Sequence, residues 1–355
     1  MADTFLTING TRIPARTGQT VLAAAEAAGL RLPKDDPGLC AHHVPCESCR
    51  IRLDQGAVEG GEPIGPTVLA CLARVAGEAT LTFDPFPREV KSAAEVKAWR
   101  GLSAEVVELV LQVEKPIPYL PGQHVTLAFG KAAPRRFTPT LSLDGLRELD
   151  TLHFHIRRRE GGLFGEKPEE RFRPGTRVKL AGPCGHSHLR QGDGRLVLVS
   201  SGTGFSAIWS IAVAARLGQP HRPVHLIASA HDPRDLYMRP ALEWLARQGV
   251  EQIILTASGA HPLPPVRHGR ATLHLPALGA TDSVHVAGHP GLVSAVMREA
   301  ARAGATAYGI PHVAAPAEAG MVERIARYLS GSRKAPPPLP DPQPLPANVR
   351  HIRPV

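Results

Sequence analysis

The sequence predicts a multidomain chain: a small α+β unit, an antiparallel β-barrel, and an α/β unit built on a parallel sheet. Three observations carry that reading. A hairpin signal, a capped helix and a cysteine-rich loop are packed into residues 1–88. Short runs separated by Gly and Pro follow over residues 101–190, the spacing of an antiparallel barrel. From residue 195, continuous apolar runs alternate with helical stretches, the pattern of a parallel sheet covered by helices.

In order along the chain, TFLTINGTRIPART (residues 4–17) holds two alternating runs around Asn9-Gly10, a strong two-residue hairpin signal. Thr20 can cap a helix over Val21–Ala28, which Gly29 ends. CRIRLD (49–54) and ATLTF (79–83) read as strands. Residues 84–100 contain Pro85 and Pro87 and then a polar helical stretch, so 89–100 reads as a linker. SAEVVELVLQV, HVTLAF, LHFHIRR and RVKLAG supply the barrel strands. RLVLVSS, VHLIAS (224–229), QIILTAS (252–258) and VHVAG (284–288) supply the buried parallel strands. After the first of these, Gly202, Thr203 and Gly204 lead into a helix that runs to about Ala215. Residues 317–329 can form a last amphipathic helix, and the tail 331–355 has eight prolines and reads as disordered or polyproline-like. The expected units are therefore 1–88, a linker 89–100, 101–190, 191–330, and the tail 331–355.

At 355 residues, 43% hydrophobic and 21% charged, the chain can bury several cores. It has no run of about 18 apolar residues, so membrane insertion is not expected. MADTFLTING lacks the basic-then-apolar order of a secretory signal. Five cysteines in a chain this long do not make a disulfide scaffold, and a reducing cytoplasm is the expected location. The net charge of +9 is uneven: residues 1–88 hold 8 Lys+Arg against 10 Asp+Glu, and the remainder 33 against 22. Aromatics are only 5%, with no aromatic-interleaved basic stretch, which argues against nucleic acid as a partner. The basic field suits anionic cofactors and an acidic protein partner.

Cys40, Cys46, Cys49 and Cys71 form a C-x5-C-x2-C loop and a fourth thiol after a 21-residue gap. The plant-type [2Fe–2S] pattern, C-x4-C-x2-C…C, differs by one residue in the first gap. Three thiolates on one tight loop with a fourth from a neighbouring segment suit a small cluster. A zinc site could use the same four thiolates, or three with His42 or His43.

The order of cysteine loop, barrel and α/β sheet resembles the ferredoxin-fused members of the ferredoxin–NADP reductase superfamily. These are reductase components of bacterial oxygenases, of the naphthalene dioxygenase reductase and phenol hydroxylase reductase type. The resemblance covers roughly residues 4–315 and rests on several motifs in a fixed order. It implies a β-grasp ferredoxin domain whose Cys40, Cys46, Cys49 and Cys71 hold a [2Fe–2S] cluster, an FAD-binding barrel, and an NAD(P)-binding α/β domain. Arg135-Arg136-Phe137-Thr138-Pro139 looks like the R-x-[YF]-[ST] flavin signature. By that likeness Arg135 pairs with the flavin pyrophosphate, and Phe137 and Thr138 are the catalytic contacts, the Thr138 hydroxyl reaching N5. HFHIRRREGGLFG (153–165) matches a basic residue followed by G-x-x-S at a helix start, with Arg157 and Gly162 in place and Gly165 at the Ser position. Gly182-Pro183-Cys184-Gly185 matches the G-P-x-G turn, leaving Cys184 a bystander. Gly202, Thr203 and Gly204 resemble the G-T-G-x-[SA]-P nucleotide loop, with Ala207 for its Pro. Ala287-Gly288-His289-Pro290 resembles C-G-P-P, with Ala287 for the Cys beside the nicotinamide. Asp232 matches a ribose 2′-OH acceptor, and Arg234 a partner for a 2′-phosphate.

The implied activity is an NAD(P)H:acceptor oxidoreductase. Electrons pass from NAD(P)H through FAD and a [2Fe–2S] cluster to an oxygenase or ferredoxin, and the chain works as a monomer. Two rival readings stay open. Ala207 and Ala287 suit a flavin and iron–sulfur carrier that has lost nicotinamide use. Gly165, His42 and His43 suit a zinc-bearing interaction module on a degenerate reductase scaffold.

Overall fold

Asn9 and Gly10 take positive φ, +45° and +78°, and that turn joins β1 (Thr4–Ile8) to β2 (Thr11–Ala15) with Ile8 opposite Thr11. The backbone twist of such a turn matches that of the paired strands. The computed structural model that follows describes residues 3–33, 49–63, 65–143, 150–165, 167–259, 262 and 264–312. Cys40, Cys46, His42 and His43, the expected helix 317–329 and the Pro-rich tail lie outside them.

Helix α1 (Val21–Ala27) begins where the Thr20 hydroxyl accepts the Ala23 N–H at 3.2 Å, and it stops before Gly29, φ +73°. Val21, Ala24 and Ala25 form its buried stripe. The small alanines let the helix pack into one core with β1, β2 and the strands β3 (Arg50–Gly60), β4 (Thr67–Leu69) and β5 (Ala73–Thr82) of the same sheet. The sheet order is β2-β1-β5-β3-β4, with β1 parallel to β5 and the other pairs antiparallel. One helix packed on this mixed sheet is the expected β-grasp. Residues 83–89, with Pro85 and Pro87, connect β5 to the next sheet.

That sheet comprises β6 (Val90–Gly101), β7 (Val106–Val113), β8 (His124–Phe129), β9 (Arg135–Phe137), β10 (Thr151–Arg157) and β11 (Arg177–Cys184). The one-turn helix α2 (Pro168–Arg171) precedes β11. The order is β10-β7-β6-β11-β8-β9, antiparallel throughout. A bridge between Thr140 and His153 brings the far edge back to β10. Here the expected linker 89–100 is corrected. Residues 90–101 are a central strand, paired with β7 on one side and β11 on the other. The stretch is rich in Ala, Lys and Glu, which favour helices locally. Ala94 and Val96 point into the core while Glu95 and Lys97 face out, and pairing on both edges overrides propensity.

The third sheet is wholly parallel: β12 (Leu196–Ser201), α3 (Phe205–Gly218), β13 (Val224–Ala230), α4 (Arg239–Arg247), β14 (Gln252–Ala257), β15 (Arg267–His268), β16 (Ser283–Gly288), α5 (Pro290–Arg302) and β17 (Thr306–Pro311). Its order is β15-β14-β13-β12-β16-β17. The chain winds outward on one side of β12, then crosses to the other side with β16. The carboxyl ends of β12 and β16 therefore flank a topological switch point, where ligands of open α/β sheets bind. Leu196, Leu198 and Leu226 pack with α3 and α4 on one face, and Val197, Val199, Val284 and Val286 with α5 on the other.

Side chains join barrel and sheet. The Thr140 hydroxyl donates to the Ser206 carbonyl at 2.7 Å, Trp209 Nε1 to the Ser142 carbonyl at 3.1 Å, and Ser187 to the Gly309 carbonyl at 2.7 Å. Among the described residues no helix is long and apolar enough to cross a membrane.

Candidate flavin, nucleotide and cluster sites

A cleft of about 1210 Å³ opens between the barrel and the carboxyl ends of the parallel strands. Its barrel wall carries Arg135, Arg136, Phe137 and Thr138, placed by the pairing of Phe137 with Val125 and of Arg135 with Leu127. Phe137 is braced edge-on by Phe154 and Phe164, at 6.1 and 5.7 Å between ring centroids. Arg135 Nε is buried without a hydrogen-bond partner. Burial and the like charge of Arg159 hold the Arg135 pKa below its ordinary value. A guanidinium so placed fits a bound anion, as a flavin pyrophosphate requires.

Arg157 and Gly162 also line this wall. The Arg157 guanidinium is held by the Glu105 carboxylate in a short ion pair. The expected helix start at Gly162–Gly165 is corrected: these residues are turns, with the Gly162 N–H donating to the Arg159 carbonyl at 2.9 Å, and α2 begins only at Pro168. Proline fits the first helical turn and sets the start there. A helix of four residues with no side-chain cap is no counterpart of the expected phosphate-facing terminus.

The floor is where β12 meets β16. Gly202 takes φ +53°, and Gly202–Gly204 form a 3-10 turn into α3. A Cβ on Gly204 would lie 2.3 Å from the Ala287 carbonyl oxygen, and one on Gly288, φ +131°, would lie 2.3 Å from Ser201 Oγ. Ser201 Oγ accepts the His289 N–H at 2.9 Å. Gly202, Thr203 and Gly204 all face the cleft, so the N–H groups that open α3 border it. Ala287 is fully buried on the same floor.

Arg234 forks onto Asp232 at 3.0 and 2.7 Å, and Asp232 also accepts the Arg234 N–H at 2.8 Å. These bonds hold the Asp232 carboxyl down at about 2. Neither residue lines the cleft; Ser229, His231 and Asp235 beside them do.

The cysteines of the first sheet converge through register. Cys49 directly precedes β3, Arg50 pairs with Leu69 of β4, and the Ala70 N–H donates to the Cys49 carbonyl at 3.0 Å. Cys71 follows Ala70, so both thiols sit at one end of the β3–β4 hairpin. Cys40 and Cys46 precede Cys49 in the sequence and lie outside the described residues, and four thiolates in this spacing suit an iron–sulfur cluster. Among the described residues no three His, Cys, Asp or Glu side chains form a metal-holding group. Cys184 lies buried on β11.

Residues 6–76 match the 2Fe-2S iron-sulfur cluster binding domain and residues 93–189 the oxidoreductase FAD-binding domain. The chain is 30% identical over 305 residues to the ferredoxin–NAD(+) reductase component of the alkene monooxygenase system of Xanthobacter autotrophicus, an alignment covering 80% of this chain and 87% of that one. The chain belongs to the family of ferredoxin–NAD(P)(+) reductase components of oxygenase systems. The reductase component of the naphthalene 1,2-dioxygenase system of Pseudomonas putida is 29% identical over 232 residues, 61% of this chain and 70% of that one. In fold, the reductase is similar to the Amycolatopsis cytochrome P450 reductase, with a TM-score of 0.63, 23% identity, and coverage of 88% of this chain and 100% of that one. It is also similar to the ferredoxin reductase in carbazole 1,9a-dioxygenase, with a TM-score of 0.58, 22% identity, and coverage of 87% and 98%. The reductase is thus an NAD(P)H-dependent oxidoreductase with a [2Fe–2S] domain and an FAD domain.

Sequence reasoning missed several cleft residues. Arg159, His186, Ser229, His231 and Arg270 line it from four separate segments. His155 also lines it, with Nδ1 3.0 Å from the Tyr237 hydroxyl, and burial lowers its pKa to about 4. Arg159 and His155 stood in the segment 153–165 already singled out; the others are brought in only by the strand order.

Proposed function

We propose that the reductase takes hydride from NADH or NADPH in this cleft and delivers the electrons one at a time to an acceptor redox protein, an oxygenase or a ferredoxin. One observation carries the reading: the flavin-type segment Arg135–Thr138 and the switch-point ends of β12 and β16 line one continuous cleft. The names of the relatives, components of oxygenase systems, support the class of acceptor. When bound, FAD supplies two-electron uptake and single-electron release, and the cluster supplies one-electron carriage.

The chain's own residues bind and orient. Arg135 holds the flavin pyrophosphate, and Arg159 beside it strengthens the positive field of the wall. Phe137, braced by Phe154 and Phe164, gives the flavin a rigid apolar surface, and Thr138 offers a hydroxyl at the reacting edge. Arg157, held by Glu105, and the turn at Gly162 shape the outer wall. Gly202, Thr203 and Gly204 present N–H groups to the nucleotide pyrophosphate, and Gly288 keeps the floor low enough for the nicotinamide to approach. Cys40, Cys46, Cys49 and Cys71 ligate the cluster. A cytoplasmic location, where thiols stay reduced, accords with this ligand set.

Anaerobic visible spectra of the purified reductase, before and after NADH and then NADPH, test the proposal. Flavin and iron–sulfur absorption that bleaches with either nucleotide is the expected result and selects the donor. Colour that neither nucleotide bleaches means that nicotinamide use has been lost. A colourless chain after anaerobic iron, sulfide and FAD reconstitution overturns the reading.

A further inference from the structure

Arg190 sits where three units meet. It lies beyond β11, at the end of the barrel. Its Nε donates to the Asp84 carboxylate, in the connector that leaves the ferredoxin-type sheet. Its Nη1 donates to the His188 carbonyl at 2.6 Å, and its Nη2 lies 3.1 Å from His186 Nδ1. Its guanidinium stacks 4.0 Å above the Tyr308 ring, on β17 of the parallel sheet. Although Asp84 is 54% exposed, the Arg190 side chain is only 15% exposed, so this is no solvated surface pair. The Arg190 carbonyl accepts from Gln219 Nε2 and Arg222 Nη1, each at 3.0 Å, which fixes its backbone as well.

His186 ties this junction to the chemistry. It lines the cleft and packs against Tyr308, with 5.4 Å between ring centroids. Burial, then the charges of Arg190, His188 and Arg50, hold its pKa well below the usual imidazole value. A neutral His186 offers Nδ1 as the acceptor that Arg190 uses. Arg50 directly follows Cys49 in the sequence. Thr82, the last residue of β5, pairs with Arg52 near the start of β3, so the connector bearing Asp84 leaves the sheet at its cysteine end.

We infer that Arg190, with Asp84 and Tyr308, is a positioning residue for electron transfer within the chain, a clasp that docks the ferredoxin-type unit with its cysteine end toward the flavin cleft. The inference rests on the proposed reading of the cleft as the flavin site. Electron tunnelling falls steeply with distance, so the docked arrangement sets the rate between the two centres, while hydride transfer, which uses residues Arg190 does not touch, is left unchanged.

The test uses the holoenzyme and its Asp84→Asn, Arg190→Lys and Arg190→Ala variants. Anaerobic stopped-flow mixing with the nucleotide that bleaches the parent resolves flavin reduction from cluster reduction. Amide exchange over residues 65–75 reads docking without turnover. Expected are flavin reduction unchanged, cluster reduction slowed about tenfold in Arg190→Ala, and faster exchange by about the same factor, as loss of a charge-assisted contact predicts. Asp84→Asn shifts both readouts in the same direction by less. Arg190→Lys keeps the charge opposite Asp84 but loses the fork, and falls between parent and alanine. Cluster reduction at the parent rate in Arg190→Ala and Asp84→Asn overturns the inference, as does equal slowing of flavin and cluster reduction. If Arg190→Ala does not fold, Asp84→Asn, altered at a half-exposed carboxylate, decides alone. A parent that no nucleotide bleaches overturns the proposed function instead, and amide exchange then still tests the clasp.

Discussion

The floor of the cleft is backbone set against backbone, with Gly204 and Ala287 so close that a single Cβ would reach 2.3 Å from a carbonyl oxygen. The barrel wall is charge carried on long side chains, Arg135, Arg157 and Arg159. A floor of this kind fixes shape and tolerates no added atom. A wall of this kind fixes affinity and can lose a side chain without losing the fold. Ala207 and Ala287, where the sequence departs from the motifs it resembles, are small, buried apolar residues on this floor.

The largest expected effect comes from adding one methyl to the floor. Gly204→Ala drives β12 and β16 apart and should cost about 1–3 kcal/mol of stability, the usual range for overpacking. Gly288→Ala adds positive-φ strain of about 1–2 kcal/mol. Urea unfolding midpoints and nucleotide binding should both fall. Parent-like values would show that the floor yields.

Next is the wall. Arg135→Ala should weaken FAD retention by roughly 10–100-fold, the worth of charge-assisted contacts of about 1.5–3 kcal/mol. Its unfolding midpoint should hardly change, because Arg135 Nε makes no protein hydrogen bond. Equilibrium FAD titration of the apoprotein measures the first, urea unfolding the second. A collapse in stability would erase the contrast with the floor.

Acid tests the junction behind the wall. Burial lowers the pKa of His155 from 6.5 to about 4, so the unfolded chain takes up the proton first. Stability is then fully present above about pH 6.5 and is lost as pH falls toward 4. Thermal unfolding of the parent against His155→Gln, from pH 7 to pH 4.5, should show the parent losing more. The smallest effect is expected at Asp232→Asn, which breaks a pair lying outside the cleft and should change NADH and NADPH affinity less than about twofold. A larger change would bring Asp232 into the site.

What was readable in the sequence was whatever a few neighbouring residues decide. Asn9-Gly10 dictates its own turn, Thr20 its own cap, and the apolar runs at 196–201 and 224–230 can only be buried strands. The cysteine spacing and the Arg135–Thr138 and Gly202–Gly204 segments likewise announce a site before any fold is known. What was hidden depends on distant pairing. Residues 90–101 favour a helix alone and become a strand only between β7 and β11. The glycines of 161–165 look like a phosphate-facing helix start, but Pro168 sets that start later. His155 meets Tyr237 across 82 positions, and no local pattern marks that contact.

The short connector at residues 83–89 has a kinetic meaning. Seven residues, fully extended, reach at most about 25 Å. On so short a tether, the unit bearing the thiols stays at an effective local concentration in the millimolar range relative to its own flavin domain. Reloading after each electron leaves is therefore a first-order event, independent of protein concentration. Only the encounter with the acceptor is left to diffusion.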